Sequence, residues 1–477
     1  MISFIICVVL LAAAPLLYGR RIDRIFGPDG RQTPAYAKND GVDYVPMPLW
    51  KVFLIQLLNI AGTGPIFGAL SGALFGPVVY LWIVFGCIFA GGVHDYMCGM
   101  LSMRHGGADI PELTGRYLGS AMKQVMRVFS VVLLVMCGVV FTTGPAGLLD
   151  LITPKPFGNA FWLILILIYY FIASFLPIDK IIGMLYPLFG ICMIIMAMGT
   201  GGSLMFSGKF DMPEIWSSFS NAHPEGLPVW PFMFITVACG AVSGFHATQS
   251  PIMARCCRTE AEGRRVFYGA MAAEGIIAMV WAAAGVSCYE NSRALLEAGA
   301  GCSAVVYEIC KSTMGKLGCT LAMVGVIVCP ISSGDTAFRS ARLIIAEWFG
   351  MDQSKAGKRL AIVIPLLAAG AYICTLNYNV VWRFFSWANQ SLASITLWTA
   401  AVYMAKNRRP YLFAMIPAAF MTATCTAYFV AAPECLGGIL VRAGIERYLG
   451  LAAAAGIAFA LAASAVFLSY ARKRSIQ

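Results

Sequence analysis

The chain has 477 residues, of which 59% are hydrophobic and 12% charged, about half the charge of an ordinary soluble domain. Its mean hydropathy is +0.76. That much apolar surface could not be hidden inside a water-soluble fold of this length, which excludes a cytosolic enzyme, a disordered chain and a nucleic-acid-binding module. The net charge of +11 is therefore a matter of loop placement, and no nucleic-acid partner is expected.

Crossing a bilayer as a helix takes about 20 mostly apolar residues. Thirteen stretches qualify, roughly 1–18, 51–72, 77–103, 125–149, 157–176, 181–206, 230–250, 266–288, 318–338, 360–376, 380–405, 411–432 and 448–470. The sequence predicts an all-α polytopic protein whose lipid partner is the bilayer itself. No cationic n-region precedes the first stretch, and Arg20 and Arg21 follow it, the reverse of a cleaved signal. It is expected to stay as a helix. Lys and Arg gather in cytoplasmic loops. With the N-terminus outside, 26 of the 34 basic residues fall on the inner side and seven on the outer. The expected topology is N-terminus outside and C-terminus cytoplasmic.

Two spans are broken by their own sequence. The first contains Ala61-Gly62-Thr63-Gly64-Pro65 and the second Gly240-Ala241-Val242-Ser243-Gly244-Phe245-His246, closed by Pro251. Proline and glycine interrupt helices, and backbone freed at membrane depth persists only where it meets a ligand, water or other protein. A separation of five spans forces the second copy to enter the membrane inverted, the plan of a five-plus-five transporter. The expected layout is an N-terminal helix and loop over 1–50, a first repeat over 51–206, a second over 230–405 and two added helices over 411–477. Half-helix N-termini at the breaks attract an anion such as a carboxylate. Substrate contact is therefore expected at Gly62, Thr63, Gly64, Pro65, Ser243, Gly244, His246 and Gln249.

Ionisable groups at membrane depth are costly and mark function. His94, Asp95, Glu274 and Asp335 are the expected ion-coupling set, with His246 in the second break. Asp335 and Arg339 are four apart, so an intrahelical pair is the plain alternative; for Arg383 the plain alternative is an interfacial anchor. Ser332, Ser333 and the backbone at Ala61 are the candidates for a sodium site instead. Protons are the expected coupling ion and sodium the alternative, with a membrane channel or sensor as the competing reading. Asp109-Ile110-Pro111-Glu112 reads as a capping box that opens a short cytoplasmic helix. Most of the sixteen Cys lie inside apolar runs and read as small hydrophobes. Cys288, Cys302, Cys310 and Cys319 border one outer loop, where free thiols are expected over a disulfide. No C-x-x-C, H-E-x-x-H or P-loop is present. No metal, organic cofactor, ATP-driven step or enzymatic activity is expected.

Longer motifs carry a resemblance. Gly62-Thr63-Gly64-Pro65-Ile66-Phe67-Gly68, Gly92-Val93-His94-Asp95-Tyr96 and Ile110-Pro111-Glu112-Leu113 are followed by Ser243-Gly244-Phe245-His246-Ala247-Thr248-Gln249-Ser250-Pro251. Val266-Phe267-Tyr268-Gly269-Ala270-Met271 and Ser333-Gly334-Asp335-Thr336-Ala337-Phe338-Arg339 complete the series. Together, over roughly residues 50–350, they resemble the carbon starvation protein A (CstA) family of bacterial inner-membrane transporters. The resemblance implies uptake of peptides or pyruvate in a carbon-starvation response. It also implies the amino acid–polyamine–cation superfamily with its leucine-transporter-like fold. The chain is shorter than the long members of the family, which leaves peptide against pyruvate open.

Overall fold

The computed structural model describes all residues except 42, 155, 176–177, 300–302, 354, 446–447 and 476–477, together with the side chains of 178–188, 317, 321 and 474–475. Lys155, Cys302 and Arg447, and the side chains of Lys180 and Arg474, thus lie outside the described residues. Among the described residues the secondary structure is helical throughout.

In chain order the main helices are α1 (Ile2–Phe26), α2 (Leu49–Ile60), α3 (Gly64–Phe75), α4 (Val79–Arg104), α5 (Ile110–Leu118) and α6 (Ser120–Ile152). Then come α7 (Asn159–Ala173), α8 (Ile178–Phe206), the short α9 (229–236), α10 (Gly244–Ala254) and α11 (Glu260–Ser287). The last are α12 (Ser303–Trp348), α13 (Ala356–Ile373), α14 (Tyr378–Lys406), α15 (Leu412–Ala431) and α16 (Tyr448–Ser475). By length and apolarity, nine helices among the described residues can cross a membrane, or ten if the bent pair α2–α3 is one span. The other three expected spans differ in kind. α7 has only 15 residues, α9–α10 is broken, and α14 carries Asn389, Gln390 and several Ser and Thr.

Both predicted breaks are present. α2 ends at Ile60, and Pro65 sits in the first turn of α3, where its missing N–H is harmless. The two halves meet at 53°. The second break spans 237–243, slightly earlier than the sequence suggested, because the helix already resumes at Gly244. Gly240 holds φ +87° there, and a Cβ on it would strike Ala278 of α11.

Burial separates an inner bundle from an outer shell. α4, α11 and most of α12 are enclosed, whereas α1, α13 and α16 present Ile5, Val9, Ile364, Phe459 and Leu461 outward. Apolar side chains facing outward belong against lipid. α1 continues past residue 18 because Ile22 and Phe26 are buried, while Tyr96 of α4 donates to Asp23 at 2.7 Å. Cys310 and Cys319, expected at a loop, lie in α12, which bends at Gly315 (φ +65°). They and Cys288 are free thiols.

Candidate substrate and ion-coupling site

The two breaks lie against each other. A Cβ on Gly64 would overlap the Cys239 side chain, and one on Gly62 the Phe141 ring. Pro65 of the first break lies beside Gly240 of the second. Around this contact, Gln56 Nε2 donates to Ser250 Oγ at 3.2 Å and Gln249 Nε2 to Thr248 Oγ1 at 3.0 Å. Gln56 Oε1, both amide atoms of Asn59, Thr63 Oγ1 and Gln249 Oε1 are buried with no protein partner. Leaving such groups unpaired costs about 1–3 kcal/mol each, so their concentration here is what a polar ligand would relieve. Gly144 of α6 approaches both Thr63 and Phe67, and it also lines a 320 Å³ cavity with Phe67, Thr143, Asn159 and Tyr378. Phe67 of α3 lines that cavity just beyond the first break, and no charged residue is among the described residues of its wall.

Four ionisable groups form one buried chain beside the breaks. His94 Nδ1 lies 2.8 Å from Asp95 Oδ1, and Asp95 Oδ2 lies 2.9 Å from His246 Nδ1. His246 Nε2 is 3.4 Å from Glu274 Oε2. The chain passes from α4 through α10 to α11, and every member is fully buried. Asp95 holds two imidazoles at once, and the far end is loose. His246 Nε2 and both Glu274 oxygens lack a well-formed hydrogen bond. Cys239 Sγ, a ring nitrogen of His246 and a Glu274 oxygen lie within 4.8 Å of one another, a spacing that suits a small cation.

The remaining expected coupling residues are placed elsewhere. Ser333 Oγ donates to Leu58 O and Cys329 O, both at 3.1 Å, and Ser332 Oγ to Cys329 O at 2.7 Å. The Ser333 hydroxyl meets the end of α2 at Leu58, one turn before Ala61, whereas the Ser332 bond to Cys329 O stays within α12. Asp335 lies 3.6 Å from Arg339 on α12, and Arg339 donates to Ala173 O at 2.8 Å. It is the intrahelical pair and not a member of the chain. Arg383 pairs with Glu434 at 3.0 Å.

The C-terminal end of α4 is tied down by Arg104. It donates to both Glu260 oxygens at 3.0 Å, to Gly27 O at 2.6 Å and to Tyr403 at 2.8 Å, over the Phe26 ring. Next to it, His105 Nδ1 donates to Leu101 O at 2.7 Å, and Tyr117 donates to Nε2 at 2.8 Å. Burial, with Arg116, Arg104 and Lys406 nearby, lowers the His105 pKa. Asp109 caps α5 by accepting from Glu112 N at 2.9 Å. Its carboxyl is pushed up to about 6 by burial and by the nearby Glu347. The capping box is half made, because Glu112 turns to Arg116 and Lys123 instead of back to the cap.

Sequence reasoning found the four members of the chain as separate ionisable residues. It missed Cys239, which read as a small hydrophobe, and Asn389 of α14, whose Oδ1 accepts from Phe245 N at 2.6 Å. No local pattern marks either one.

The model of the family described as carbon starvation protein CstA matches residues 1–147, 148–295 and 286–428. The chain belongs to the CstA family. A membrane protein of Haemophilus influenzae is 47% identical over 356 residues, covering 64% of this chain and 95% of its own. The pyruvate/proton symporter BtsT of Escherichia coli is 27% identical over 312 residues, covering 52% of this chain and 43% of its own length. A peptide transporter CstA of Campylobacter jejuni is 27% identical over 316 residues, covering 52% and 44%. The match thus spans less than half of these two transporters. Among solved structures, the nucleobase-cation-symport-1 transporter Mhp1 superposes with TM-score 0.56 at 15% identity, covering 89% of this chain and 92% of its own. A mutant of the manganese transporter of Eremococcus coleocola gives 0.53 at 12% identity, covering 90% and 99%. These likenesses establish the leucine-transporter-like fold.

Proposed function

We propose that this CstA-family chain is a secondary active transporter that takes up a small carboxylate-bearing nutrient, pyruvate or a short peptide, together with protons. The observation that carries the reading is the buried chain His94–Asp95–His246–Glu274 beside two touching helix breaks. The unpartnered amide of Asn59, the Thr63 hydroxyl and Gln249 Oε1 supply polar contacts for the substrate, and the chain offers a proton a place at membrane depth. A relative named as a pyruvate/proton symporter and others named as peptide transporters support both halves of the reading. We assign the chain no catalytic reaction.

In this reading residues 51–206 and 230–405 are the two inverted repeats, the N-terminus is outside, and the protein sits in a bacterial inner membrane. Substrate enters through the cavity beside Phe67 and Thr143 and settles at Gly62–Pro65 and Ser243–Gln249. Protons are favoured over sodium because the buried chain ends on carboxylate and imidazole atoms without a protein partner at membrane depth and a relative is named as a pyruvate/proton symporter; the Ser332 and Ser333 hydroxyls donate to carbonyl oxygens and keep their lone pairs, so sodium stays the alternative that the assay separates. The test is uptake of labelled pyruvate, and of a labelled dipeptide, by protein in liposomes under separately imposed pH and sodium gradients. Accumulation driven by pH, surviving Ser333→Ala, is the expected result. Accumulation that follows sodium, ignores pH and fails with Ser333→Ala would reject proton coupling.

A further inference from the structure

Asn389 lies in the middle of α14 and is fully buried. Its amide reaches both ends of the second break. Oδ1 accepts from Phe245 N at 2.6 Å and from the Ser243 hydroxyl at 3.2 Å. Nδ2 donates to Ser243 Oγ at 3.0 Å and lies 3.9 Å from Cys239 Sγ.

The Phe245 amide is one of the first-turn donors that every helix leaves without an internal partner. Such donors are ordinarily met by the side chain just before the helix. Here Ser243 holds that position and makes no cap hydrogen bond. The cap comes from another helix. Gly244 allows it, since a Cβ there would press on the Asn389 carbonyl and the Ala393 amide. The residue after Phe245 is His246 of the buried chain. The Cys239 thiol, beside Asn389, fills the space over Gly64 in the first break.

We propose that Asn389 is the positioning residue that ties the second break to α14, capping α10 only while α10 rests against α14. Any transport step that carries α10 away from α14 must break the Phe245–Asn389 bond. The amide thereby sets how often His246 stands where it reaches Asp95 and Glu274. The proposal builds on the transport reading, but its first test needs no substrate.

The test compares Asn389→Leu, which keeps the shape and loses the bonds, with Asn389→Asp, which can still accept from the Phe245 amide. Hydrogen–deuterium exchange of the full-length protein is followed over residues 239–249. A lost cap shifts the local opening equilibrium by about five- to tenfold. That acceleration is expected in Asn389→Leu, with α6 and α15 unchanged and Asn389→Asp close to wild type. If Asn389→Leu does not fold, Gly244→Ala pushes the same surfaces apart and should accelerate the same peptide. In liposomes that accumulate pyruvate, Asn389→Leu should change the maximal rate by a similar factor, and Asn389→Asp should restore it. Unchanged exchange over 239–249, or acceleration spread through the whole chain, would overturn the proposal. A failure of pyruvate uptake with the local exchange effect intact would instead count against the substrate reading alone.

Discussion

The contact between the two breaks makes its sharpest prediction at Gly64. A Cβ at that position would overlap both Cβ and Sγ of Cys239. The thiol has little room to yield, since Ser243 Oγ lies 3.5 Å away and Asn389 Nδ2 3.9 Å. Forcing one extra methyl into a packed site costs about 1–3 kcal/mol, which is roughly a 5- to 150-fold loss of the arrangement with both breaks in contact. Gly64→Ala should therefore slow uptake by a factor in that range while the protein remains folded. Cys239→Gly removes both clashing atoms, so the double variant should recover most of the lost rate. In a double-mutant cycle on initial uptake rates in liposomes, the coupling between the two sites should be about 1–3 kcal/mol, against about 0.5 kcal/mol or less for independent positions. Melting temperatures of all four proteins separate lost function from lost fold. Wild-type transport by Gly64→Ala, or additive effects of the two changes, would refute the claim that the breaks work in contact.

Two further outcomes are expected around the C-terminal end of α4. Arg104→Ala leaves the buried Glu260 carboxylate with Arg31 at 3.5 Å and the Asp29 amide at 3.0 Å in place of its bidentate partner and should cost about 1.5–3 kcal/mol, read as lost thermal stability; Arg104→Lys should recover only part, because an ammonium cannot grip both oxygens. The lowered His105 pKa means that the neutral ring is favoured in the fold, so its contribution is complete above the unfolded value near 6.5 and is lost as pH falls through it. Asp109 runs the other way, its carboxyl raised to about 6 favouring the fold at lower pH. The difference in melting temperature between wild type and His105→Gln should therefore shrink from pH 8 to pH 5.5, and a difference that grows would show that the charged ring is the favoured one.

The spans and the breaks were legible because the bilayer imposes a length of apolar chain and because Gly and Pro are local punctuation. Gly62–Pro65 lay where it was expected, and the second break was displaced only because Gly244 tolerates a helical start. The ends of α1 and α12 were not legible. Ile22 and Phe26 extend α1 through their burial, and α12 starts at Ser303, with only a bend at Gly315 before the expected span. The buried chain was half legible. His94, Asp95, His246 and Glu274 each stood out as ionisable groups in apolar runs. That Asp95 bridges two imidazoles is a product of α4 packing on α10, and nothing in the spacing of residues 95 and 246 encodes it. Asp335 looked equivalent in sequence and proved to be paired with Arg339 within its own helix. Asn389 and Cys239 carry no signature at all, because an amide or a thiol in a membrane helix is informative only through what it touches.

In the transport cycle proposed here, proton movement with the substrate runs through the chain ending at Glu274. It is tested most directly by enclosing a pH-sensitive dye in liposomes that hold the purified protein and adding pyruvate outside without an imposed pH gradient. Wild-type protein should acidify the interior in step with pyruvate entry. Glu274→Gln should abolish both that acidification and pH-driven accumulation, while exchange of internal for external pyruvate continues in part, since exchange needs no net proton movement. Pyruvate entry without acidification in the wild type, or unchanged acidification in Glu274→Gln, would contradict the account.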